Sequence, residues 1–200
     1  MTTKSQAQPL LPPRERILAA AGELFQKQGI RGVGVEAIAE AAGTNKMTLY
    51  RHFASKDELI AEWVRGIVAR KEAVWEDISA KHPGDAVGQL EDWSRRFASK
   101  LAEMEGRGSA LANALAELPE RDHPARRIIE AHKLREHKRV LKLCEQAGFQ
   151  DPALAANMFY LLLEGATSCV QCKGLKRIGE DLVELVDRMI ANSRNQSRRL

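Results

Sequence analysis

Apolar residues recur along this chain at the three- and four-residue spacing of helices, and no stretch shows the alternation of a half-buried strand, so an all-α fold is expected. From Arg14 to Gln28, the residues Ile17, Ala21, Leu24, Phe25 and Gln28 share one helical face, with Pro13 suited to the first turn and Gly29 just past the end. A loop containing Gly29, Gly32 and Gly34 follows. Val35, Ile38, Ala39 and Ala42 then form the apolar face of a short second helix that Gly43 ends. Asn45 can cap a third helix reaching His52, with Leu49 and Phe53 on one side and Lys46, Thr48, Arg51 and His52 left to solvent. Ser55 with Glu58 three residues later makes a capping box for a fourth helix. That helix carries Leu59, Ile60, Trp63, Val64, Ile67 and Val68 and runs to about Ala80, before His82, Pro83 and Gly84 break it.

The remainder continues in helices, about nine in all. Val87, Leu90, Trp93, Phe97, Leu101 and Met104 mark a fifth, closed by Gly106 and Gly108. Ser109 opens a short apolar helix through Leu118, stopped by Pro119, and Asp122 is expected to cap a long charged helix ending at Gly148. Asp151 and Pro152 suit a helix start, as cap and first helical residue. From Leu154 to Cys169 the apolar residues cover more than one face, which a single core does not explain. A last helix, about Ile178 to Ala191, carries the stripe Leu182, Leu185, Val186, Met189 and Ile190, with Gly174 and Gly179 beside the preceding turn.

At 200 residues and 44% hydrophobic, the chain can bury a full core. No apolar run of about 18 residues suits a bilayer, and the polar start lacks a signal-peptide hydrophobic stretch, so a soluble, cytoplasmic protein is expected. The charge is unevenly placed. Residues 1 to 56 hold eight Lys/Arg against four Glu, the entire net charge of +4, while the rest is balanced at 23 of each sign. That asymmetry suits a polyanion-facing N-terminal part. Three cysteines, Cys144, Cys169 and Cys172, form no disulfide framework. The C-x-x-C of Cys169 and Cys172 could serve as a thiol switch or half a metal site, but without a second pair it reads as a small apolar pair. His123, His132 and His137 read as surface or capping residues, and no metal or cofactor is expected.

Between Val35 and His52, a short helix, a glycine turn and a second short helix place Ala39 where helices cross closely, Gly43 at a left-handed turn and Leu49 as the inward anchor. The run from Ile17 to Leu59, ILAAAGELFQKQGIRGVGVEAIAEAAGTNKMTLYRHFASKDEL, resembles the DNA-binding domain of TetR-family transcriptional regulators. The matching positions include Ala20-Ala21, Leu24-Phe25, Gly29, Ile38-Ala39, Ala42-Gly43, Thr48-Leu49-Tyr50, Phe53 and Lys56-Asp57-Glu58-Leu59. Two positions depart from the pattern: Gly34 stands where a Ser or Thr usually caps the second helix, and Thr44 where an apolar residue is usual. Gly34 puts one contact to the DNA backbone in doubt, and Thr44 is free to face the DNA.

The resemblance implies an organisation of a flexible arm over 1–12, a helix-turn-helix domain over 13–55, a ligand-sensing and dimerising helical bundle over 56–193, and a tail over 194–200. It implies that the helix of Asn45 to His52 enters the major groove of double-stranded DNA, with Lys46, Met47, Thr48 and His52 nearest the bases, and Asn45 at its start. Tyr50, Lys56 and Arg51 would hold phosphates, as hydroxyls and cations do. A core ring with a wet hydroxyl is the alternative for Tyr50. A small-molecule inducer would enter a pocket among Trp93, Phe97, Met104, Leu111, Leu115, Met158 and Leu162, although such residues at helical spacing more often form a core. A homodimer would pair the last two helices through Phe159, Leu163, Ala166, Leu182, Leu185, Val186, Met189 and Ile190, so that a near-palindromic operator is expected. The sequence carries no catalytic constellation: no Ser/His/Asp order, phosphate-cradling loop or HExxH. A regulator, most simply a repressor, is therefore expected rather than an enzyme; a helical ligand-binding or adaptor protein without an operator is the alternative.

Overall fold

The computed structural model describes residues 11–104, 107–172 and 175–197, with side chains described as far as 192. Gly106, Gly174 and the expected arm and tail lie wholly or mainly outside that description. Among the described residues the fold is all-α, in the order α1 (Pro13–Gln28), α2 (Val35–Ala41), α3 (Lys46–His52), α4 (Lys56–Lys81), α5 (Ala86–Glu103), α6 (Ala110–Glu117), α7 (Pro124–Gln146), α8 (Pro152–Cys169) and α9 (Ile178–Ser197). The helix ends follow the local chemistry. Asn45, Asp85, Ser109 and Asp151 each accept a backbone N–H from the first turn that follows, and Ser55 Oγ accepts from Glu58 N at 3.0 Å. The cap of α7 is His123, whose Nδ1 accepts from Ala125 N at 3.1 Å, and not Asp122. Pro124 sets the register, because its fixed φ and missing N–H suit the first helical position. Helix α9 continues beyond the expected Ala191 to Ser197, since no glycine or proline interrupts that stretch.

The chain divides into two compact units between Trp63 and Val64, inside α4. The expected boundary at 55/56 omits the first two turns of α4, which belong with the first unit because their side chains complete its core. Leu59 is fully buried, and the Trp63 ring meets Phe25 edge-on at 5.3 Å. Gly22 makes this approach possible: a Cβ there would sit 2.9 Å from Trp63 Nε1. Ile17, Ala21, Ile38, Leu49 and Phe53 fill the rest of that core.

In the second unit, α5 packs along α9, α7 along α8, and α8 against α9. Trp75 and Trp93 stack at 4.8 Å in a core that includes Leu90, Leu101, Val140, Leu143, Phe159, Leu163, Leu182, Val186 and Ile190. This placement corrects the expected dimer surface. Phe159, Leu163, Ala166, Leu182, Val186 and Ile190 are buried inside the chain itself, and Met189 packs partly against them. Within the apolar stripe of α9, Leu182, Val186 and Ile190 are buried in the unit where α9 packs against α5 and α8, while Leu185 stays exposed. The outward face of α8 instead carries Leu154, Met158, Leu161 and Gly165, spaced at four, three and four residues, with Leu161 71% exposed; on α9 it carries Leu185.

A polar cluster interrupts the apolar interior. His132 on α7 is 1% exposed; its Nδ1 lies 3.2 Å from Glu72 Oε1, and Arg139 Nη2 donates to the other oxygen of Glu72 at 2.9 Å while its guanidinium lies over Trp75. Lys71 of α4 and Glu136 of α7 pair at 3.8 Å beside it. Burial pushes the imidazole pKa below 6.5, outweighing the opposite pull of Glu136 and Glu72. Burial also opposes charge on Glu72, yet the hydrogen bonds from Arg139 and His132 outweigh it and hold that carboxyl below 4.5. A neutral ring with its proton on Nδ1 fits this setting, because Nε2 is buried with no hydrogen-bond partner among the described residues.

Phe159→Ala should destabilise the protein by about 3–5 kcal/mol in urea unfolding, whereas Leu161→Ala, two residues on and on the exposed side of α8, should change it by less than about 0.5 kcal/mol at concentrations where the chain is monomeric. Equal effects would reverse the orientation of α8. Both shifted groups bind fewer protons folded than unfolded, so their contribution is present above pH 6.5 for His132 and above 4.5 for Glu72, and is lost as pH falls through the lowered folded values. Thermal unfolding should accordingly weaken from pH 7 towards pH 4, and His132→Gln should flatten the upper part of that decline. A wild-type profile already flat between pH 7 and 5 would mean that the ring is not held neutral.

Candidate nucleic-acid interface

Helix α3 is seven residues long, and its orientation is set from beneath. Leu49 is fully buried, Phe53 follows it into the core, and Asn45 Oδ1 accepts from Thr48 N at 2.9 Å. Gly43 adopts φ +61°, the left-handed conformation the turn requires, and Thr44 N donates to Ala39 O at 2.9 Å. A clamp from α1 completes the turn. Arg16 Nε donates to Ala42 O at 3.0 Å, Nη2 to Gly43 O at 3.4 Å and Nη1 to Leu11 O at 3.2 Å, which satisfies carbonyls left over where α2 ends. Nothing in the apolar periodicity points to Arg16, because its role depends on a turn 26 residues away.

The outward face of α3 presents Met47, 84% exposed, Tyr50, 42% exposed, Lys46 and Arg51, with Asn45 exposed at the start and Thr44 and Thr48 half-buried. Among the sequence-derived candidates, two differ from expectation. His52 is half-buried and its Nε2 is enclosed without a hydrogen-bond partner among the described residues, so that edge of the ring is turned away from solvent. Lys56 Nζ donates to Ile30 O at 2.7 Å, which ties the first turn of α4 to the loop after α1. Lys46 Nζ is paired with Glu36 Oε1 of α2 at 2.6 Å, and the pair holds the carboxyl below its usual range and the ammonium above its own. Glu36 is a residue the periodicity did not single out.

The pocket candidates differ in burial and line neither of the two grooves on the second unit. Trp93 and Leu111 are core residues; Phe97, Met104, Leu115 and Leu162 are half-buried; Met158 is on the outward face of α8. A groove of about 470 Å³ on the second unit is lined by Ala98, Ser99, Leu101 and Ala102 of α5, by Val170 and Leu175, and by the start of α9, and contains none of them. Among the described residues no group of three or more His, Cys, Asp or Glu could hold a metal, and no helix is long and apolar enough to cross a membrane. Cys144 is buried, which pushes its thiol up to about 12, whereas Cys169 is half-buried and Cys172 exposed.

A short helix seated on a buried leucine after a glycine turn, with its other side bare, makes the first unit a helix-turn-helix DNA-binding unit. Residues 17–63 match the family described as bacterial regulatory proteins, tetR family. The chain is 38% identical over 65 residues to the transcriptional repressor KstR2 of Mycobacterium tuberculosis, covering 32% of each protein. It is 34% identical over 113 residues to the transcriptional regulator TcmR of Streptomyces glaucescens, covering 54% of this chain and 48% of that one. The match thus spans a third to a half of the length of these relatives. A crystal structure of a TetR-family transcriptional regulator from Streptomyces coelicolor superposes with a TM-score of 0.84 at 28% identity, over 90% of this chain and 95% of that one. Over residues 17–63 the chain thus matches the TetR family, and over 90% of its length it is similar to a TetR-family transcriptional regulator of known structure.

Replacing Arg16 by Met keeps the apolar stem but removes its hydrogen bonds. For a half-exposed cation this should lower stability in urea unfolding by about 1–2 kcal/mol, less than full charged hydrogen bonds would give. Unchanged stability would mean that the turn holds without the clamp.

Proposed function

We propose that this protein is a transcriptional regulator, most simply a repressor, that binds a near-palindromic operator as a homodimer and leaves it when a small molecule binds the helical second unit. The observation that carries the reading is α3 itself: Lys46, Met47, Tyr50 and Arg51 stand outward over a fully buried Leu49. Nothing about folding asks for a methionine and a tyrosine in water at that place, whereas base edges and phosphates use both. A thymine methyl accepts an apolar contact, an ammonium can donate to guanine, and a tyrosine hydroxyl donates to phosphate. Thr44, Asn45 and Thr48 flank that surface. Lys56 has ammonium donors beyond the one given to Ile30 O and can still reach a phosphate.

Dimerisation is supported by the outward stripe of Leu154, Met158, Leu161 and Gly165 on α8, and by Leu185 on α9, the expected dimer residue that is exposed, rather than by the buried residues expected with it. An isologous two-fold pairing would cover it and present two α3 helices roughly 34–36 Å apart or a multiple of that, which matches successive major-groove turns. Entry of an inducer among the expected pocket residues requires the second unit to open around side chains that are packed in this state. The unit boundary falls inside α4, so a ligand that prefers one setting of that helix has a continuous route to the first unit.

Selection of bound duplexes from a random library should return a near-palindrome with the wild type and lose it with Tyr50→Ala. In quantitative binding, Lys46→Ala or Thr48→Ala should weaken the selected duplex by about 1–3 kcal/mol while changing a scrambled one less. A wild type that enriches no duplex would favour the adaptor reading instead.

A further inference from the structure

Lys46 opens the recognition helix, yet its ammonium is not free: Glu36 Oε1, on the preceding helix, lies 2.6 Å from it. Both side chains are more than half exposed, so burial does not force them together. The carboxylate has a reason to stay where it is. Gly34, at the start of α2, offers no side chain to cap it, and Glu36 stands in the first turn, where the positive end of the helix dipole favours a carboxylate; a Cβ on Gly34 would lie 3.6 Å from Glu36 Oε2. The glycine that departs from the family pattern thus leaves the start of α2 to a carboxylate, and this carboxylate also holds the first cation of α3.

Resting on the DNA-binding reading above, we infer that Glu36 is a specificity-determining positioning residue: it neutralises Lys46 so that the lysine reads a base edge and does not serve as a general phosphate contact. A free ammonium at the rim of a DNA-facing helix is drawn to the nearest phosphate in any sequence, which adds affinity without information. An ammonium already paired to a carboxylate contributes little net charge to that attraction. It keeps two further N–H donors, which repay the approach only where a base presents an acceptor at the right place. Glu36 therefore weakens binding to every duplex, and weakens it least on the operator.

The test is a double-mutant cycle on the full chain, with Glu36→Gln, Lys46→Met and the double variant, measured against the selected operator and a scrambled duplex over a range of salt. Glu36→Gln should tighten the scrambled duplex several-fold at about 0.1 M salt. It should also steepen the slope of log K against log salt on that duplex by about 0.9, one added phosphate contact, and lower the operator-to-scrambled ratio. In the Lys46→Met background the same substitution should leave the slope unchanged. Circular dichroism and thermal unfolding of each variant confirm that α2 is intact. The inference is overturned if Glu36→Gln leaves the slope and the ratio as they were, or alters them equally with and without Lys46, since the carboxylate would then act by simple repulsion. A wild type with no preferred duplex would overturn the DNA-binding reading and this inference with it, whereas an operator bound normally with an unmoved slope removes the inference alone.

Discussion

A seven-residue helix cannot hold itself, and the DNA-facing unit of this protein depends on how α3 is held from outside. Its internal hydrogen bonds are too few to offset the backbone entropy of forming it. The missing stabilisation comes from one buried side chain, Leu49, from the Asn45 cap, and from a turn whose loose carbonyls are taken up by Arg16. All of these act on the inner side or at the start. The outer side is therefore released from any structural duty, and it can carry Met47 and Tyr50 in water without loss of fold.

The same economy governs the boundary between the units. Trp63 belongs to the first core because Gly22 leaves room for its ring and Phe25 meets its edge. A helix that starts with a capping box beside the DNA-binding unit thus contributes two turns to one core and the rest to another. In the second unit, α5 packs along α9 and all of its apolar stripe but Leu185 is buried or partly buried, and α8 is left as the helix with apolar residues to spare. The polar cluster of Glu72, His132 and Arg139 is the exception within that interior, and its carboxylate joins α4 to two turns of α7.

The ion pair between Glu36 and Lys46 places the chemistry of recognition one step further back than the contact surface. Electrostatic attraction to DNA is cheap to obtain and carries no sequence information, so a regulator gains selectivity by limiting it. In this chain the limiting group sits where an uncapped helix start already has use for a carboxylate.

Much of the fold was legible in the order of residues. The helix set, its caps at Asn45, Ser55, Ser109 and Asp151, and the glycine turn at Gly43 follow from local spacing and from side chains that bond their own neighbourhood, and such interactions need no tertiary context. So does the outward placement of Lys46 and Arg51, because Leu49 and Phe53 take the inner face, whereas that of Met47 and Tyr50 came from the family resemblance alone. What the linear pattern left open is which partner covers each apolar face. Phe159 and Met158 are adjacent, about 100° apart around α8, and the sequence assigned the first to an interface and the second to a pocket; packing against α7 and α9 put Phe159 in the core and Met158 outside. Arg16, Glu36 and the Lys56 tie were likewise beyond periodicity, since each joins elements ten or more residues apart. Local chemistry determines where helices begin and end, but the facing of a helix buried on two sides depends on its neighbours, and only the folded chain supplies them.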